Sequence, residues 1–321
     1  MSKPRLSVNN SAWQLAKKLC DESEEYGVNV KETTSGATLI DAGIKAKGGF
    51  LAGKIITEIC LGGLGKAEVF TSRYNNLELP SISVYTDHPA IAALGSQFAG
   101  WQIKVKKYFA MGSGPARALA LKPRELYEKI GYTDEADVAV LVLETAKEPP
   151  ENVITYISNQ CRIASDRLLL ILVPTTTVAG STQISGRVVE EGIHKLTNLG
   201  LDPKLIIRAC GYAPIAPVHP NFAEAMGRTN DAIIYAGVTC YTVRHEDDDK
   251  LAELVNKAPS LASKSYGRPF IEIFKEANYD FYQIDPGLFA PAVLIVTNAK
   301  TGSIFKAGEV NVELLRQSIG C

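Results

Sequence analysis

The stretch "APAVLIVTNAKTGSIFKAG", Ala290–Gly308, decides how the sheets of this chain are built. Two runs rich in β-branched and apolar residues flank the polar, glycine-containing "NAKTG". That spacing predicts a hairpin, and a hairpin makes neighbouring strands antiparallel. Two other stretches point to a different environment. "VAVLVL" (Val138–Leu143) and "LLLILV" (Leu168–Val173) are unbroken apolar runs. Strands covered on both faces read this way. Between them lies "PENVITYISNQCRIA", a helix opened by Pro150. Hairpins beside buried strands and helices predict an α/β (α+β-like) architecture. Its sheets are mixed or antiparallel and flanked by helices, not one doubly wound parallel sheet.

Other elements follow from caps and periodicity. Asn10 or Ser11 is placed to cap a first helix that ends near Gly27. "GGFLAGKIITEICLGGLG" reads as an apolar helix with a glycine-rich exit, and "AIIYAGVTCYTVR" (Ala232–Arg244) as one long alternating strand. "GSTQISGRVVEEGIHKLTNLG" reads as one helix, capped by Ser181 or Thr182 and stopped by Gly200. At 321 residues, two domains are expected. The compositional break "AKEPPEN" (Ala146–Asn152) divides the chain into residues 1–148 and 149–321.

Bulk properties exclude several classes. Hydrophobic residues make up 46% and charged residues 21% of the chain, an ordinary globular balance. A net charge of −1 offers no basic excess for nucleic acid or an anionic membrane. No apolar run is long enough to span a bilayer. "MSKPRLSVNN" has no apolar signal core, so a cytoplasmic protein is expected. The six cysteines are scattered without CxxC spacing and read as reduced thiols. Glu191-x-x-His194 is half of a helical metal-ligand pattern with no second copy, so no metal site is expected.

Three stretches carry chemistry. "LGGLGK" follows a helix instead of a strand, which makes it a helix exit rather than a phosphate loop. "AMGSGPARAL" follows a strand. Its Ser113, Gly114 and Arg117 suit an anionic group, and a plain tight turn fits equally well. "ISGRVVEEGIHKL" spaces Arg187, Glu190, Glu191 and His194 by threes and fours. On pattern alone this is a solvated ion-pair face, worth about 0.3–0.5 kcal/mol per pair. The small, polar helix start directly after a buried strand also suits a cleft. There a carboxylate beside an arginine does acid–base work.

The blocks "GATLIDAG", "EICLGGLG", "DHPAIAALGSQFAGW", "FAMGSGPARALA" and "ISGRVVEEGIHKL", in this order, resemble the methenyltetrahydromethanopterin cyclohydrolase family over essentially the whole chain. The resemblance implies a two-domain α/β subunit with a pterin in the cleft between domains, assembled as a homotrimer. It implies interconversion of 5,10-methenyl-tetrahydromethanopterin plus water with 5-formyl-tetrahydromethanopterin, in the one-carbon metabolism of methanogenesis. It implies no metal and no separate cofactor, tetrahydromethanopterin being the substrate's carrier. The family's arginine and acid–base glutamate fall on Arg187 and Glu190, which leaves Glu191 a structural role. Ser113, Gly114 and Arg117 become candidates for an anionic part of the substrate. Asp87 and His88 sit in a matching block and are candidates for the pocket wall, with Asp87 as a helix cap the alternative. A pterin-binding protein without catalysis, or a cyclohydrolase for a tetrahydrofolate derivative, fits the same residues.

Overall fold

A computed structural model describes residues 6–280 and 283–321. The first five residues of the N-terminal stretch read above lie outside these. The chain forms two compact units. One holds Met1–Gly65 and Ile91–Gly180, the other Lys66–Ala90 and Ser181–Cys321.

The first unit begins with α1 (Val8–Asp21), capped by Ser7, whose side chain accepts the Asn10 N–H. Asn9, one residue before the expected cap Asn10, is buried. Its side chain donates to Asp134 and to the Pro115 carbonyl and accepts the Val140 N–H. After the single turn α2 (Ser23–Tyr26) come β1 (Asn29–Glu32) and β2 (Thr38–Asp41), then α3 (Phe50–Cys60). The chain leaves this unit and returns with a π-helical segment, Ala90–Gln97. It continues through β5 (Trp101–Val105), β6 (Tyr108–Ser113), α4 (Ala116–Ala120), α5 (Arg124–Ile130), β7 (Ala139–Glu144), α6 (Glu151–Cys161) and β8 (Leu168–Leu172).

These strands make one mixed sheet in the order β1-β2-β8-β7-β6-β5. β2, β8 and β7 are parallel, and the outer pairs antiparallel. Alternation of side chains explains the unbroken apolar runs. Val140, Val142, Leu169 and Ile171 face one layer with Leu19 of α1 and Ile56 of α3. Leu141, Leu143, Leu168 and Leu170 face the other with Ile154 and Ile157 of α6. The break at Ala146–Asn152 therefore lies inside this unit, on the way into the crossover helix α6 between two paired parallel strands. The expected division at 148/149 does not separate the compact units. What separates them is a change of partner sheet, which leaves no mark in composition.

The second unit holds β3 (Gly65–Tyr74) and β4 (Leu77–Thr86), then the main part of α7 (Val178–Ser185), α8 (Val188–Asn198), β9 (Ile206–Pro214), α9 (Phe222–Ala236) and β10 (Val238–Val243). α10 (Asp248–Asn256), α11 (Phe270–Glu276), β11 (Val293–Asn298), β12 (Ile304–Gly308) and α12 (Val312–Ile319) complete it. Its sheet runs β12-β11-β10-β9-β4-β3. β11 and β12 are the antiparallel hairpin that the opening stretch predicts, and β11 adds the parallel pair with β10. Tyr235, Phe270, Phe274 and Leu315 form a core cluster under α9, α11 and α12.

The expected long strand Ala232–Arg244 is two elements. Asn221 caps α9 by accepting the Ala223 and Glu224 N–H groups, and the helix runs on through Ala236 before β10 starts at Val238. A short apolar run reads as buried helix or buried strand with equal ease, and here the upstream cap decides. No helix among the described residues is long and apolar enough to cross a membrane.

Candidate active site

The expected single helix around "ISGRVVEEGIHKL" is broken. α7 ends at Ser185, Gly186 and Arg187 form a turn in which the Arg187 N–H donates to the Ile184 carbonyl, and α8 starts at Val188. Ser181 does not cap it, because its hydroxyl donates to the Ala216 carbonyl at 2.7 Å. Ser185 donates to the Pro214 carbonyl at 2.8 Å. Both bonds fasten α7 to the end of β9, and the turn sets Arg187 at the N-terminus of α8. Gly200, at φ 108°, ends the segment as its sequence predicts.

This is not a solvated face. The Arg187 and Glu190 side chains are 10% and 5% exposed, with Nη1 and Oε2 3.9 Å apart. Arg187 Nη2 also donates to Gln183 Oε1 at 3.3 Å, across the turn. The arginine is thus held between an amide oxygen and a carboxylate. A charged pair removed from water keeps far more of its mutual attraction than an exposed one, and loses more if one partner is deleted.

Glu191 is half-buried. Burial pushes its carboxyl up to about 8, the Glu190 charge adds to the rise and Arg187 opposes it. Burial and the Glu190 charge thus both favour the protonated form of Glu191 beside the Arg187–Glu190 pair. The floor beneath is a tyrosine. Tyr241 of β10 is buried, and its hydroxyl donates to the Val189 carbonyl at 3.0 Å. Gly192 makes room for it, since a Cβ there would lie 2.0 Å from the Tyr241 hydroxyl oxygen. Gln183 stands four residues before Arg187 and is a legible partner by spacing. Tyr241 comes from a distant strand and has no local signal. His194 contacts Asn198 at 3.4 Å, and no group of three His, Cys, Asp or Glu among the described residues is placed to hold a metal ion.

The "GSGPAR" turn is built differently from an anion cradle. Gly114, at φ 102°, takes a left-handed conformation that favours glycine, and its N–H donates to the Ser96 carbonyl at 2.8 Å. Ser113 is buried, with its hydroxyl 3.7 Å from the Cys60 thiol. Arg117 is fully buried. Its guanidinium donates to the carbonyls of Lys122, Leu94 and Ser96 and lies against the rings of Phe98 and Tyr127. At Arg117 and Gly114 these donors tie loop to loop.

Asp87 and His88 are exposed. Asp87 pairs with Arg208 at 3.3 Å, and it is the Thr86 hydroxyl, not Asp87, that accepts the His88 N–H. Asp87 borders a shallow cavity with Cys210 and Cys240, on the sheet face opposite the one α8 covers. The structure therefore joins Arg187, Glu190 and Glu191, and separates Asp87 from them by the thickness of the sheet.

Comparison with known proteins identifies relatives over nearly the whole chain. The family described as Cyclohydrolase (MCH) matches residues 7–319. A methenyltetrahydromethanopterin cyclohydrolase of Methanocaldococcus jannaschii is 46% identical over 318 residues, 98% of either chain. Proteins of the same name from Methanothermobacter thermautotrophicus and Methanococcoides burtonii are 45% and 44% identical over 98% of this chain.

Proposed function

The chain belongs to the methenyltetrahydromethanopterin cyclohydrolase family, and from that premise we propose that Glu190, held beside Arg187, carries the proton transfers of the reaction. The enzyme is a hydrolase acting on a cyclic amidine C–N bond. It interconverts 5,10-methenyl-tetrahydromethanopterin plus water with 5-formyl-tetrahydromethanopterin.

The substrate's reacting carbon bridges two nitrogens that share a positive charge. Hydrolysis needs a water deprotonated as it attacks that carbon, and a nitrogen protonated as its bond to carbon breaks. One carboxylate performs both in turn, first as base and then as acid. The observation that carries the assignment is the buried Arg187–Glu190 contact at 3.9 Å. The carboxylate attracts the cationic ring. The guanidinium limits where the carboxylate rests and stabilises negative charge developing on oxygen. The turn at Gly186–Arg187 fixes where the arginine starts, and its bond to Gln183 supports this role.

A second reading makes Glu191 the proton carrier. Its raised carboxyl favours that reading, because a proton donor works best with a pKa near the working pH. The pairing with Arg187 ranks Glu190 first. The reading includes no metal and no separate cofactor, a cytoplasmic enzyme and a homotrimer, all as the family resemblance implies. Analytical ultracentrifugation tests the trimer. Absorbance of the methenyl form tests the activity: a catalyst bleaches it on hydrolysis, whereas a binder only shifts it. Faster bleaching of a tetrahydrofolate substrate than of the methanopterin one would overturn the carrier assignment.

A further inference from the structure

Outside the site, one pair of nucleophilic side chains shares a surface. Cys210 of β9 and Cys240 of β10 stand directly opposite each other in the antiparallel register. Cys210 is exposed and Cys240 half-buried, while Cys60 and Cys161 are buried. Neighbouring residues alternate to the other side: Ala209, Thr239 and Tyr241 are buried. Both thiols therefore project from the outward face, away from α8.

Hydrogen-bond phase fixes the spacing. The Ile215 N–H donates to the Pro80 carbonyl, so odd-numbered residues at this end of β9 turn their backbone groups toward β4. Even-numbered residues then turn theirs toward β10. The Val293 N–H donates to the Gly237 carbonyl, which sends odd residues of β10 toward β11 and even ones toward β9. Cys210 and Cys240 are thus a hydrogen-bonded antiparallel pair, with Cα atoms about 5.5 Å apart. Disulfides form across Cα separations of roughly 4.4–6.8 Å.

The two thiols face each other across the strand pair. The interaction between them favours ionisation of one thiol and holds the other protonated, lowering Cys210 and raising Cys240. Cys210 is the exposed member of the pair and the one a reagent reaches first, and the thiolate is the form that attacks. A cavity of about 270 Å³, bordered by Tyr85, Arg208, Thr242 and Thr297, opens over both sulfurs.

We propose that Cys210 and Cys240 form a reactive dithiol that closes reversibly to a cross-strand disulfide on meeting a small-molecule disulfide. The Cys210 thiolate attacks one sulfur of the reagent, forms a mixed disulfide and expels one thiolate. Cys240 then loses its proton to solvent and attacks the Cys210 sulfur, expelling the second thiolate. Two cysteine thiols are oxidised by two electrons, and one reagent disulfide is reduced to two thiols.

The test uses the native enzyme and 2-hydroxyethyl disulfide, followed by acid quenching, alkylation, digestion and mass spectrometry. Before oxidation, Cys210 is expected to alkylate faster than Cys60, Cys161 and Cys240. After oxidation, a cross-linked Cys210–Cys240 peptide pair is expected, two hydrogens lighter and restored by dithiothreitol. Cys240→Ser is expected to trap the reagent on Cys210, and Cys210→Ser to leave Cys240 alkylatable. A native enzyme in which Cys210 resists alkylation overturns the proposal. So does a mixed disulfide that persists on Cys210 while Cys240 stays free.

Discussion

Glu190→Gln exchanges one carboxylate oxygen for an amide and leaves the shape of α8 unchanged. The structure separates its two effects. For catalysis, removing a general acid–base costs roughly 10²–10⁴-fold, or about 2.7–5.4 kcal/mol of transition-state stabilisation. For stability, charges about 4 Å apart attract by about 4 kcal/mol at an effective dielectric near 20, much of it offset by the desolvation of both groups. Arg187 keeps Gln183 at 3.3 Å and gains an amide neighbour, so it is not left as a bare buried charge. A loss of about 2 kcal/mol is expected, below the ~3–5 kcal/mol of a fully orphaned ion. Turnover followed by bleaching of the methenyl form should fall by orders of magnitude. KM should move far less, and the melting temperature should drop by only a few degrees. Glu191→Gln serves as the internal control, since it removes the neighbouring carboxyl without touching the Arg187–Glu190 contact. If Glu190→Gln keeps more than a tenth of wild-type kcat while Glu191→Gln loses it, the roles are reversed and the reasoning from the ion pair fails.

Three further outcomes are expected. Glu191, raised by burial from 4.5 to about 8, favours the folded state in its protonated form. That contribution is complete below about pH 4.5 and is lost as pH rises through about 8. Melting curves of Glu191→Gln should therefore lose less stability than wild type between pH 5 and 9, and parallel curves would remove the burial argument. Arg117→Met should destabilise by about 2–3 kcal/mol, because the Leu94 and Lys122 carbonyls lose the arginine donor while the Ser96 carbonyl keeps only the Gly114 N–H. It should leave the KM of the folded fraction unchanged, and a large KM rise would restore the anion reading. Gly192→Ala sets a methyl 2.0 Å from the Tyr241 hydroxyl oxygen and should cost about 1–3 kcal/mol. Tyr241→Phe in the same chain should recover part of that loss in denaturant unfolding.

What was legible in the sequence follows from what is local. The runs around Val140 and Leu170 announce strands buried on both faces, and "NAKTG" announces its hairpin, because period and turn chemistry lie within a few residues. Gly200 announces the end of α8 for the same reason. The α9–β10 junction was hidden, since "AIIYA" satisfies buried helix and buried strand equally. The break at Gly186–Arg187 was hidden too, because the bonds that fasten α7 go to Pro214 and Ala216 on another element. Residue type suggested that Arg117 reaches outward for an anion. Its carbonyl partners at Leu94 and Ser96 are a long-range property that no spacing reveals. Arg187 and Glu190 were legible as a pair by their step of three, but their burial was not.

The interleaved path of the chain bears on its manufacture. β3 and β4 leave the ribosome early, yet β4 pairs with β9, Ser81 opposite Pro214. At 5–20 residues per second, the strand waits on the order of ten seconds for its neighbour. During that interval an apolar face holding Ile82 and Val84 stands beside an unpaired edge, which invites pairing with other chains. Pro80 interrupts that edge because it has no N–H to offer, and Lys66, Glu68 and Arg73 charge the strand on the far side of the hairpin. The hairpin's polar residues thus act before the enzyme exists, keeping a nascent strand solitary until β9 is made.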